Sequence, residues 1–89
     1  MKITPNEHVT FRRLGDRMVL IHLQTNDIFD LNETSARLWE LLGEHGDVEQ
    51  ILTVLAEEFD VDPQQLQRET SATLKEFARW DLIAGYDGS

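Results

Sequence analysis

The hydrophobic pattern of this chain changes period once, at Asn32, and that change restricts the fold more than any other feature. Before it, apolar residues come in short runs separated by turn residues; after it, they recur at the three-and-four spacing of amphipathic helices. Val9-Thr10-Phe11-Arg12-Arg13-Leu14 alternates at its start, Gly15-Asp16 is a turn signal, and Met18-Val19-Leu20-Ile21-His22-Leu23 is rich in strand formers and apolar on both sides. Gln24-Thr25-Asn26-Asp27 is a second turn, because Asn and Asp tolerate left-handed backbone and hydrogen-bond nearby amides. Ile28-Phe29-Asp30-Leu31 is then a short third strand. The pattern predicts a three-stranded antiparallel meander with residues 18–23 in its centre, which leaves one edge of the third strand unpaired.

Beyond Asn32 the chain reads as three helices. Asn32 caps the first, with Leu38, Trp39, Leu41 and Leu42 at helical spacing until Gly43 and Gly46 end it. Asp47 caps the second, where Val48, Ile51, Leu52, Leu55, Ala56 and Phe59 form one apolar face and Glu49, Gln50, Glu57 and Glu58 the solvated one. Asp62-Pro63 opens the third, which runs from Gln64 to about Trp80 and gathers Leu66, Thr70, Thr73, Leu74, Phe77 and Trp80 on one broad face. The tail Leu82-Ile83-Ala84-Gly85-Tyr86 is expected to pack as a short extended segment. The fold class is therefore α+β, one domain over residues 1–89, with neither repeat nor linker.

Composition bounds the function. Eighty-nine residues accommodate one modest core, which excludes a multi-domain enzyme. The net charge of −9 opposes phosphate backbones and anionic lipid, so neither nucleic acid nor a membrane is the expected partner. That charge is localised: residues 1–25 carry four basic and two acidic groups, residues 26–63 carry eleven acids against Arg37 alone, and residues 64–89 carry three basic and four acidic groups. With no cysteine there is neither disulfide nor thiolate, and with no signal peptide or long apolar run the expected location is the cytoplasm.

A search for chemistry finds little. His8, His22 and His45, in the first strand, the central strand and an inter-helix turn, lack the local spacing of a metal site and are expected to be surface or turn residues. Ser71 lies mid-helix without a strand-to-helix elbow, and Asp30 and Glu33 have capping and macrodipole reasons to stand near a helix start. The glycines match no phosphate cradle. Catalytic, metal and cofactor sites are not expected; a binding module is.

The junction Leu31-Asn32, Thr34-Ser35-Ala36 and Leu38-Trp39-Glu40-Leu41-Leu42, continued by Val48-Glu49-Gln50-Ile51 and Phe59-Asp60-Val61-Asp62-Pro63, resembles the PqqD-like family of peptide-recognition domains over nearly the whole chain. The resemblance implies a winged helix-turn-helix-like fold that binds the leader segment of a ribosomally made precursor peptide. It implies that the leader adds as a strand to the edge Ile28, Phe29, Asp30, Leu31, beside a groove walled by Thr73, Leu74, Phe77 and Trp80. Leu31 is expected to point into the core, and helical spacing leaves Leu74 and Phe77 open between core and groove. Trp80 and Asp81, at the helix end, are the expected exposed contacts. A separate maturation enzyme, such as a leader peptidase or cyclase, would complete the system, lasso-peptide biosynthesis being one setting of the family.

Three alternatives bear on these residues. The third-strand edge would also suit a second copy of the chain. Arg68, Lys75 and Arg79 form a stripe opposite the apolar face of the third helix, as a DNA-binding winged helix would need. The acidic middle favours a leader with basic residues, while an acidic leader would have to meet Arg68, Lys75 or Arg79.

Overall fold

A computed structural model of the chain describes residues 2–87. Eight elements follow in order: β1 (Thr4–Pro5), β2 (Val9–Leu14), β3 (Arg17–His22), β4 (Ile28–Leu31), α1 (Glu33–Glu44), α2 (Val48–Phe59), α3 (Pro63–Arg79) and β5 (Ile83–Ala84). The expected meander is present as β2-β3-β4, all antiparallel with β3 in the centre, and the three expected helices follow it in an α+β arrangement.

Local chemistry accounts for the joints. Gly15, at a φ of +64°, supplies the left-handed backbone of the two-residue β2–β3 turn, and Asn26, at +66°, does the same between β3 and β4. The Asn32 side chain accepts from the Ser35 N–H at 2.9 Å, Asp47 accepts from Glu49 and Gln50, and Asp62 accepts from Gln64 with Pro63 in the first turn. Helix α1 continues through Gly43 and ends at Glu44, with His45 as its C-cap and the backbone turning left-handed at Gly46. A Cβ at Gly46 would lie 2.2 Å from the Ile3 carbonyl oxygen, so this approach between the N-terminal segment and the end of α1 requires glycine.

The core fills the angle between sheet and helices. Met18, Leu20 and His22 alternate inward from β3, Leu31 joins them from β4, and Ala36, Leu38, Trp39, Leu41 and Leu42 pack on them from α1. Ile51 and Leu55 contribute from α2, and Leu66, Thr70, Leu74 and Phe77 from α3. The expected extended tail is β5, which pairs with β1 so that Thr4 lies opposite Ala84 and Pro5 opposite Ile83. A two-residue strand carries no period, so β1 left no trace in the hydrophobic pattern.

Two expectations need correction. His8 lies in the turn before β2 rather than inside the strand. His22 is completely buried instead of sitting at the surface, because it shares the inward face with Met18 and Leu20 at strand spacing. Its Nδ1 accepts from the Gln24 and Thr25 amides at 3.2 and 3.4 Å, which leaves the proton on Nε2 to donate to the Asp81 carboxylate at 3.2 Å.

Candidate functional site

The free edge of β4 is built by the ladder itself. In an antiparallel pair, residues that exchange hydrogen bonds alternate with residues whose amides and carbonyls point away. The His22 N–H bonds the Asp27 carbonyl at 2.9 Å, and the register pairs Ile21 with Ile28, Leu20 with Phe29, Val19 with Asp30 and Met18 with Leu31. The alternation ties Phe29 and Leu31 to β3 and aims the main-chain groups of Ile28 and Asp30 outward. Among the described residues no strand pairs with them.

Side chains along this edge divide by face. Ile28 is 69% exposed, and Asp30 faces solvent with its carboxylate 3.6 Å from the Arg17 guanidinium. Phe29 points to the other face, half-buried, with its ring centroid 5.8 Å from that of Trp80 and the planes tilted by 53°. Leu31 is buried in the core. Edge and helix thus meet at one end through an aromatic pair of favourable geometry.

At the other end the chain passes from Leu31 into Asn32, and Asn32 is on the wall of a cleft of about 370 Å³ between the start of α1 and the middle of α3. Thr34, Ser35 and Leu38 continue the α1 wall, while Glu69, Thr70, Ala72 and Thr73 form the α3 wall. Phe29 meets the last turn of α3 and Asn32 its middle, so β4 and α3 run in opposite directions along one trough. Small side chains on both helices keep it open.

The structure separates the residues that the helical wheel had grouped. Leu74 and Phe77 are buried, 2% and 5% exposed, and Phe77 meets Trp39 edge-on at 5.8 Å; they belong to the core. Thr73 is partly exposed on the cleft wall. Trp80 is 43% exposed, with its indole N–H donating to the Glu76 carboxylate at 3.2 Å and the Arg79 guanidinium 5.6 Å from its ring. Asp81 is exposed yet engaged, since it accepts from His22 and, through both its carboxylate and its carbonyl, from the Asn6 side-chain amide. The α1 wall escaped the sequence reading, although Thr34-Ser35 facing Ala72-Thr73 is the small-residue pairing that leaves such a space.

The trough contains no constellation for bond-making chemistry. It offers unpaired main-chain groups, an aromatic ledge and a cleft lined by hydroxyls, flanked by Asp30, Glu69 and Glu76. That is the equipment for holding an extended polypeptide.

Comparison with known proteins agrees. A solved structure described as TbiB1 in complex with the TbiA(beta) leader peptide superposes with a TM-score of 0.88 at 31% identity, covering 93% of this chain and 96% of that one. No curated protein sequence matches the chain. The family model for coenzyme PQQ synthesis protein D spans residues 17–83, from the first residue of β3 to the first residue of β5, and therefore takes in the free edge, the cleft and all three helices: the chain belongs to the PqqD family.

Proposed function

We propose that the protein captures the leader segment of a ribosomally made precursor peptide as an added strand on β4 and presents it to separate maturation enzymes. The observation that carries this reading is the unpaired main chain of Ile28 and Asp30 beside α3, in a fold shared with a protein solved with a leader peptide. Main-chain hydrogen bonds give sequence-tolerant affinity, and the Phe29–Trp80 ledge and the hydroxyl-lined cleft select side chains on one face of the added strand. Asp30, Glu69 and Glu76 favour basic residues in that leader.

The module itself is non-catalytic. Its contribution is effective concentration, since a leader held on the domain brings its core peptide to a peptidase or cyclase bound nearby. Lasso-peptide biosynthesis is the setting we favour, in the cytoplasm where precursors are made. The test is titration calorimetry with the synthetic leader encoded beside this chain's gene, on the native chain and on Ile28→Pro. Proline here removes an outward amide and no ladder bond, so loss of binding with an unchanged circular-dichroism spectrum is expected. Normal binding by the folded variant would refute strand addition at β4.

A further inference from the structure

A buried imidazole needs partners for both ring nitrogens, and around His22 only the neutral ring is satisfied. Nδ1 faces two donors, the Gln24 and Thr25 amides, so it must offer a lone pair, and the one ring proton stays on Nε2 toward Asp81. A second proton has only Nδ1 to occupy. It would set an N–H against two N–H groups at 3.2 and 3.4 Å, whereas the Nε2 bond to the carboxylate would become charge-assisted and tighten. The two sides of the ring therefore respond oppositely to acid.

The side that loses is the one that begins β4. Four hydrogen bonds hold the loop of residues 24–27 to His22: its N–H donates to the Asp27 carbonyl at 2.9 Å, its carbonyl accepts from the Asn26 amide at 2.8 Å, and Nδ1 takes the other two. Ile28, whose outward main chain opens the edge of the trough, comes directly after this loop. The side that tightens holds the ledge. Asp81 follows Trp80 and is itself in left-handed backbone, at a φ of +60°, where the Asn6 amide donates to its carbonyl at 2.8 Å and to its carboxylate at 3.2 Å.

The other charged groups around this ring are engaged or point to solvent. Across the ladder, β4 is preceded by Asp27, which is exposed, and on the other flank His8 is paired with Glu7 at 3.5 Å. On the last turn of α3, Glu76 and Arg79 contact each other and Trp80. Among the described residues, Asp81 is the one carboxylate bonded to His22.

We propose that His22 is a positioning residue that works only as a neutral ring, so that its protonation loosens the start of β4 against a fixed Trp80 ledge and weakens the hold on the leader. The proposal rests on the reading of β4 as the leader edge. The sign follows from linkage: the deprotonated ring is the binding form, so affinity is full at the alkaline end and falls as His22 takes its proton, and bound leader opposes that proton by the same factor.

The test is nuclear magnetic resonance of the native chain from about pH 7.5 to about pH 5.5, within the range where histidine changes charge. Calorimetry over the same range uses the leader of the preceding test with any histidine replaced by glutamine. The His22 ring and the amides of Gln24, Thr25 and Ile28 should shift along one curve while the Trp80 indole N–H stays in place, and leader affinity should fall about fivefold or more along that curve. The fall should persist in His8→Gln and His45→Gln and vanish in His22→Gln; should the last variant not fold, the curve of the native ring decides. A ring that stays neutral throughout, an Ile28 amide that does not follow it, an affinity constant with pH, or a fall abolished by His8→Gln or His45→Gln would each overturn the proposal. A leader that binds at no pH would refute the reading of β4 instead, and the shared curve of ring and amides would still decide whether His22 governs the strand.

Discussion

His22 and Asp81 are 59 residues apart and joined by one hydrogen bond of 3.2 Å, from a completely buried imidazole to an exposed carboxylate. The bond fixes the residue after Trp80 to the end of β3, and so sets where the aromatic ledge stands relative to β4. On the opposite side of the ring, Nδ1 holds the turn that leads into β4. One side chain thereby positions both borders of the trough. His22→Leu should destabilise the chain by about 1–3 kcal/mol, since the amides of Gln24 and Thr25 lose their acceptor. Hydrogen exchange would show those two amides losing protection ahead of the rest of β3.

The two proline substitutions on β4 should behave differently. In Ile28→Pro the missing amide is one that points away from β3, whereas in Phe29→Pro it is a ladder donor. Phe29→Pro should therefore lower the melting temperature as well as remove leader binding, and Ile28→Pro should remove binding alone. Thermal melts beside calorimetry separate the two.

Core and ledge should separate in the same way. Phe77→Ala empties a buried site against Trp39 and should cost about 3–5 kcal/mol, a large part of the stability of so small a domain. Trp80→Ala removes a half-exposed ring and should leave chemical denaturation close to native while weakening leader binding by about 2 kcal/mol, roughly thirtyfold.

Gly46→Ala should be unexpectedly harmful for a one-methyl change at the edge of a helix. It adds a left-handed alanine and drives a Cβ into the Ile3 carbonyl, breaking the 2.9 Å bond from the Ile3 N–H to Gly46. A loss of about 1–3 kcal/mol in urea denaturation is expected, with β1 released first.

The Arg37–Glu58 pair joins α1 to α2, and the carboxylate raises the guanidinium pKa further above its already high value. The pair is at the surface and partly open to solvent, so Glu58→Gln should cost no more than about 1 kcal/mol, and less as salt is added. Denaturation at two ionic strengths would measure both.

How far the sequence could be read follows from where its periods are strong. Residues 9–31 and the three capped helices carry repeating signals long enough to place every major element and the open edge of β4. His22 was misjudged although it continues the inward series of Met18 and Leu20, because a run apolar on both faces hides which face is buried. The wheel could not separate Phe77 from Trp80: both lie on one side of α3, and only the helix end decides that one has α1 in front of it and the other has not. The cleft depends on the distance between Thr34-Ser35 and Ala72-Thr73, which no local pattern encodes.

The pairing of β1 with β5 has a practical consequence. Because the two strands are antiparallel neighbours, the polypeptide enters and leaves the domain side by side, about 5 Å apart at Thr4 and Ala84. An enzyme joined before residue 2 or after residue 87 would hang from the same point, so either order of fusion gives the trough the same reach. A short loop between the two ends would permit new termini to be cut elsewhere, or the whole module to be spliced into a host's surface turn.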